Sequence, residues 1–146
     1  MIQGGSSKQF SKIKAMMYQA PELLQQLLAV LTEAVIDYLQ AQIDAGVDAV
    51  MVFDSWGGVL TPSTYQTFSL KNLTAIHQGL SLVNQAGQTV PSIMFSKGVY
   101  HSLPEIANSG FNAMGVDWTV NIGDIRKQVN NQINLQGNLD PGVLYA

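Results

Sequence analysis

A chain of 146 residues that is 47% hydrophobic and 12% charged has room for one domain with a real core, residues 1–146, and not for two. Its net charge of −3, with six lysines and the single arginine Arg126, leaves no basic stripe and excludes an electrostatic grip on nucleic acid. No apolar run approaches the roughly 20 residues needed to cross a bilayer, the opening "MIQGGSSKQF" has no signal-type pattern, and the lack of cysteine excludes disulfide and thiolate chemistry.

We therefore expect a cytoplasmic protein with no membrane partner. Along the chain, "SSKQFSKIKAMMY" reads as a short amphipathic helix entered at Ser6 or Ser7. The clearest helix is 21–45. Pro21 suits its first turn, Leu24, Leu27, Leu28, Leu31, Val35, Tyr38 and Leu39 form one apolar face, and Gly46 ends it. "AVMVF" (49–53) is apolar without alternation, as expected of a strand covered on both faces. Thr61 and Pro62 open a helix that the pattern carries to about Asn84. A second strand is read at 90–95, and "SLPE" (102–105) has the form of a capping box pairing Ser102 with Glu105 before a helix ending at Gly110. Strands at 113–116 and 133–137 flank a helix near 121–129.

Strand and helix alternate throughout, so the fold class is α/β with four parallel βα units and right-handed crossovers. "DAGVDAVMVFDSW" (44–56) and "NSGFNAMGVDWT" (108–119) share one scheme of helix end, glycine and strand, so consecutive units are built alike. Barrels and doubly wound sheets both use such units. A closed (β/α)₈ barrel takes about 250 residues, so the chain is either an open sheet or part of something larger.

Parallel α/β folds bind ligands at the carboxyl ends of their strands. Those ends carry Asp54 and Ser55, Ser96 and Lys97, Asp117 and Thr119, and Gln136, Asn138 and Asp140. Trp56 and Trp118 follow two of them, as pocket walls or as caps on the core, the second being the expected role of at least one. No dinucleotide or Walker-type glycine pattern is present. His77 has no acidic or histidine partner at metal spacing and reads as a packing or surface residue, His101 is a weak candidate at a strand-end loop, and a zinc site is not expected. A Ser55–His101–Asp117 triad lacks a nucleophile-elbow sequence.

The strand-end motifs carry a resemblance. Met1–Phe10, "FDSWGGVL" (Phe53–Leu60), "FSKG" (Phe95–Gly98), "GVDWT" (Gly115–Thr119) and "LQGNLDP" within Leu135–Ala146 are similar, in order and spacing, to the uroporphyrinogen decarboxylase family. The resemblance implies a (β/α)₈ barrel, a homodimer, and decarboxylation of the four acetate side chains of uroporphyrinogen III to coproporphyrinogen III without metal or organic cofactor. It places the family's substrate-binding hydroxyl on Ser55. Asp54 would orient that loop, and Lys97, Asp117, Gln136 and Asn138 are candidates for the pocket on strand-end grounds. The family's arginine-rich segment, its pyrrole-binding aspartate, a substrate-binding tyrosine and a histidine have no counterpart here, so no catalytic residue is assigned. The chain is expected to be a central segment, inactive alone. Two alternatives stand beside this: a non-catalytic assembly module completed by a partner chain, and a related zinc-dependent methyltransferase-type barrel, against which the lack of cysteine speaks.

Overall fold

The computed structural model describes residues 2, 4, 5, 7 and 9–146. Four strands, β1 (Val50–Asp54), β2 (Ser92–Ser96), β3 (Ala113–Gly115) and β4 (Asn134–Gln136), form one sheet in the order β1-β2-β3-β4. Every pairing is parallel. Helices α1 (Ser11–Gln19) and α2 (Pro21–Asp44) precede the sheet. α3 (Pro62–Tyr65) runs through a π-helical turn (Gln66–Leu70) into α4 (Lys71–Gly79), and α5 (Leu103–Ala107) and α6 (Ile122–Gln128) follow β2 and β3. No helix among the described residues is long and apolar enough to cross a membrane.

Strand alternation sorts the sheet into two unlike faces. Val50, Met94 and Met114 are buried in clusters with Tyr65, Leu73, Ile76, Leu103 and Ile106 of the helices. The opposite face carries the row Phe53–Phe95–Gly115–Gln136, in register across all four strands. Phe53 on that row is 64% exposed. One face is thus a finished core, and the other lies open.

Several local expectations hold for stated physical reasons. Thr61 Oγ1 accepts from the Thr64 N–H at 3.3 Å, with Pro62 at the first helical position. Asn121 Oδ1 accepts from the Gly123 N–H at 2.8 Å and caps α6. The two similar helix-to-strand loops both turn on a left-handed glycine, Gly46 at φ 94° and Gly110 at φ 96°.

Others fail. The helix begun at Thr61 ends at Gly79, short of Asn84. Asn84 instead folds its own turn, its Oδ1 accepting from Ala86 and Gln88 N–H groups, and Val83 bridges Thr89. The capping box does not form. Glu105 Oε1 accepts from Gln66 Nε2 at 2.8 Å and Ser102 Oγ pairs with Nδ1 of its neighbour His101, so one distant and one adjacent partner replace the exchange. The first helix starts at Ser11. Ser7 Oγ accepts from the N–H groups of Gln9 and Phe10, closing a turn before it, and Ser6 lies outside the described residues. On α2, Tyr38 is 68% exposed, although it shares the spacing of the buried Leu24 and Leu39.

His77 takes the packing role. Its Nδ1 meets Ser92 Oγ at 3.0 Å, and its ring lies 5.0 Å from that of Phe111. A Cβ on Gly110 would come within 2.6 Å of the imidazole, so the loop passes here only without a side chain. Burial holds His77 below its ordinary pKa of 6.5. The folded chain therefore favours the neutral ring. The unfolded chain takes up a proton first as the pH falls through about 6.5, and stability is lost from there until the folded ring titrates too. His77→Gln is expected to flatten the fall of the urea midpoint between about pH 7 and pH 5. An equal fall in both proteins would assign that loss to other groups.

Candidate functional site

Because all four strands run the same way, their carboxyl ends gather on one edge of the sheet. The residues after β1 leave the strand as Ser55, Trp56, Gly57 and Gly58, those after β2 as Lys97 and Gly98, and those after β3 as Val116, Asp117 and Trp118. Ser55, Trp56, Gly58, Phe95, Lys97 and Trp118 line a groove of about 540 Å³. Its walls are aromatic, with one hydroxyl and one ammonium group. A flat ring bearing an acidic substituent matches that chemistry. A second cavity of about 330 Å³ lies between α1, α2 and β1, lined chiefly by apolar side chains such as Phe10, Met17, Leu24 and Leu73.

Asp54 and Ser55 are neighbours in sequence and part company in space. Asp54 turns to the helix-covered side, where its Oδ2 accepts from Ser69 Oγ at 2.6 Å and Ser96 Oγ at 2.9 Å. The carboxylate thus ties the ends of β1 and β2 to the π-helical turn. Tyr65 lies on the same cluster. Burial foremost pushes its hydroxyl up to about 12, the neighbouring Ser96 hydroxyl works against this, and the Asp54 charge adds to it. Ser55 is exposed and faces the groove.

Lys97 is fixed through its backbone on both sides. Its N–H donates to the Asp54 carbonyl at 3.1 Å, and its carbonyl accepts from the Gly58 N–H at 2.8 Å. Its Nζ lies 4.8 Å from the centroid of the Trp118 ring. Neither tryptophan caps the core: Trp118 is 45% exposed beneath Lys97, and Trp56 is 61% exposed with its ring 5.1 Å from that of Phe10.

Asp117 is buried behind the groove and does not line it. Its Oδ1 accepts from the Thr119 N–H at 2.9 Å and from Thr119 Oγ1, which folds the turn that presents Trp118. Burial pushes the Asp117 carboxyl up. The Thr119 hydrogen bonds, helped by the nearby Tyr100 hydroxyl and Gly98 N–H, outweigh it, and the group sits below its ordinary value as a carboxylate. Burial beside that charge pushes the Tyr100 hydroxyl well above the usual phenol range.

Asn138 donates through Nδ2 to the carbonyls of Asp117 at 3.0 Å and Val120 at 2.6 Å, lacing the segment after β4 to the loop after β3. Gln136 is exposed at the end of the open row. Of the six strand-end candidates, the structure brings Ser55 and Lys97 into one groove. It puts Asp54, Asp117 and Asn138 into the scaffold behind it and leaves Gln136 apart. His101 stands edge-on to Tyr65 at 5.8 Å, and no triad with Ser55 and Asp117 appears among the contacts of those residues. Among the described residues, no group of three or more His, Cys, Asp or Glu side chains is placed to hold a metal ion.

Phe53 and Phe95, which are not among the expected site residues, pack their rings 5.7 Å apart on the open face. The signal was available: Phe53 shares strand parity with Ser55, so the two share a face.

The sequence model of the uroporphyrinogen decarboxylase (URO-D) family matches residues 1–146, which is the whole chain. The chain belongs to the uroporphyrinogen decarboxylase family. It is 52% identical over 146 residues to the uroporphyrinogen decarboxylase of Hydrogenovibrio crunogenus, 53% to that of Thioalkalivibrio sulfidiphilus and 52% to that of Vibrio cholerae serotype O1. Each alignment covers 100% of this chain and 41% of the relative. The chain thus spans about two fifths of the length of these curated relatives. The uroporphyrinogen decarboxylase family has the (β/α)₈ barrel fold, and the four parallel strands seen here are half the number of such a barrel. The open face with Phe53 and Phe95 is the side that faces inward in a barrel of this kind.

Proposed function

We propose that the chain is the part of a uroporphyrinogen decarboxylase that supplies one wall of its substrate pocket. In this reading the whole enzyme is a cytoplasmic homodimer that acts without metal or organic cofactor. It removes the carboxyl groups from the four acetate side chains of uroporphyrinogen III and yields coproporphyrinogen III and carbon dioxide. The observation that carries the reading is the coincidence of two things: the family match runs along all 146 residues, and Ser55 lies exposed at a strand end in an aromatic-walled groove.

The chemistry needs little from this wall. An acid protonates a pyrrole carbon, and the ring becomes an electron sink. The bond between the acetate methylene and its carboxyl carbon breaks, carbon dioxide leaves, and the electron pair enters the ring system. A proton then adds to the methylene carbon to give the methyl group, and loss of the ring-carbon proton restores the pyrrole. An anion beside the pyrrole N–H groups steadies the positive charge meanwhile.

Ser55 Oγ would donate a hydrogen bond to a substrate side chain. The proton donor and the anion are assigned to segments beyond these residues. The single arginine supports this division: Arg126 Nη1 donates to the Ile133 carbonyl at 2.9 Å, and Arg126 is not among the groove residues. A substrate with eight carboxylates needs more cations than the groove offers.

Two measurements on the purified chain test the reading. Anaerobic incubation with uroporphyrinogen III should form no coproporphyrinogen; its formation would overturn the assignment of acid and anion to other segments. Uroporphyrin III should quench the fluorescence of Trp56 and Trp118, and Ser55→Ala should weaken that binding by about fivefold, the worth of one ordinary hydrogen bond at an exposed site. Quenching that is absent, or unchanged by the substitution, would remove the groove from the pocket.

A further inference from the structure

The groove holds a cation that no carboxylate claims. Among the described residues the one salt bridge joins Lys127 to Asp124 at 3.1 Å, elsewhere on α6. The acids at the ends of the two strands beside β2 are both engaged elsewhere. Asp54 turns its carboxylate to Ser69 and Ser96 on the helix side, and Asp117, itself buried, turns Oδ1 to the N–H and hydroxyl of Thr119. Lys97 Nζ rests instead on the face of Trp118. An indole face orients an ammonium group without neutralising it, because the ring offers a quadrupole and no net charge.

The support for this arrangement is unusually complete for a surface lysine. The backbone of Lys97 is bonded on both sides, to Asp54 and to Gly58. The ring under it is presented by the Asp117–Thr119 turn, and the Asp117 N–H is itself anchored on the Tyr100 hydroxyl at 3.2 Å. A lysine ordinarily loses much side-chain freedom when it grips an anion. Here part of that ordering is present before any ligand arrives. Phe95, Trp56 and Trp118 offer faces on which a planar ring can lie, and Ser55 adds one hydroxyl donor.

We propose that Lys97, seated on Trp118, is a carboxylate anchor of the groove, which takes an acidic side chain of a pyrrole ring while the ring lies against the aromatic wall. This rests on the reading of the groove as part of the uroporphyrinogen pocket and assigns within it a charge that Ser55 cannot supply. The anchor is a binding element and takes no part in proton transfer.

The test is titration of the purified chain with uroporphyrin III, followed by tryptophan fluorescence, in the wild type and in Lys97→Gln, Lys97→Arg and Ser55→Ala. Lys97→Gln should weaken binding by about tenfold, the worth of a charge-assisted contact in a partly exposed groove, and should lower its dependence on salt. Lys97→Arg should stay within about threefold of the wild type, because the positive charge and the stacking on the indole are both kept. The octamethyl ester of uroporphyrin, which has the ring and lacks the charges, should bind the wild type and Lys97→Gln alike. If Lys97→Gln binds uroporphyrin as tightly as the wild type while Ser55→Ala is weakened, the anchor is overturned and the pocket reading stands. Equal weakening toward the acid and its ester would also overturn it, since the effect would then be packing. Absence of quenching in the wild type would overturn the pocket reading and the anchor with it.

Discussion

Gly57→Ala should be the most damaging single-methyl change near the groove, lowering stability by about 3 kcal/mol, at the upper end for overpacking in a tight site. Gly57 is buried where the loop after β1 turns under the strand ends. A Cβ there would collide with Ser96 Oγ, lie 2.6 Å from Asp54 Oδ2 and 2.8 Å from Val99 Cγ1. None of the three can yield cheaply. Ser96 and Asp54 hold each other by a hydrogen bond that also secures Ser69, and Val99 is fully buried in the core. The neighbouring Gly58 is as tightly placed, its would-be Cβ 2.7 Å from the Lys97 carbonyl oxygen. The two glycines thus let the β1 loop lie directly on the β2 loop, which is what brings Ser55 and Lys97 to one groove. Gly5→Ala is the control, because a Cβ at Gly5 meets nothing within 4 Å. Urea denaturation of the two variants decides the matter. Equal midpoints would mean that the loops do not approach as closely as described.

How much of this could be read from the residues differs between the fold and the site. The alternation of apolar strands with amphipathic helices was plain because each element carries its own period, and all four strands lie within about two residues of their expected positions. The elements that went astray are those decided by side-chain partners that periodicity does not show. Glu105 looks like the second half of a capping box and is taken by Gln66, 39 residues away. The helix after Thr61 looks continuous to Asn84, yet Asn84 competes for its own backbone and the chain leaves the helix at Gly79. Tyr38 fits the apolar stripe of α2 by spacing but stays in solvent, because periodicity says which residues share a face and not how far the neighbouring element reaches along it.

The site was legible as a set of strand ends and not as a set of directions. Listing Asp54 with Ser55, and Lys97 with Asp117, put the right residues at the right edge. Strand parity then divides Asp54 from Ser55, and Asp117 withdraws because its backbone turn needs its carboxylate. What remains in the groove are the residues without a structural task. What stands behind it are polar side chains holding loops. That division explains why acids near a strand end need not be catalytic: two of them here are the fasteners that keep the groove in shape.

Asn138→Asp should be the second severe change, and its sign depends on a single atom. The Asn138 amide nitrogen donates to two carbonyl oxygens, those of Asp117 and Val120. Both partners accept, so only a donor fits between them. A carboxylate in that place loses both hydrogen bonds and points charged oxygen at two carbonyls, for a loss of about 3 kcal/mol at neutral pH. Asn138→Ala, which removes the donors without adding repulsion, should lose about 2 kcal/mol. The expected order of stability is therefore Asn138, then Ala, then Asp, although Asp is much closer to Asn in size. The introduced carboxyl would be easier to protonate in the folded chain than in the unfolded one. Its penalty should then shrink as the pH falls toward about 4, the unfolded value, where the folded group is already protonated and regains one donor. Urea midpoints of the three proteins at neutral and acid pH decide it. An Asp variant more stable than the Ala variant at neutral pH would mean that the amide does not bridge the two carbonyls. The lacing between the segments after β3 and β4, which holds the turn carrying Trp118, would then have to come from elsewhere.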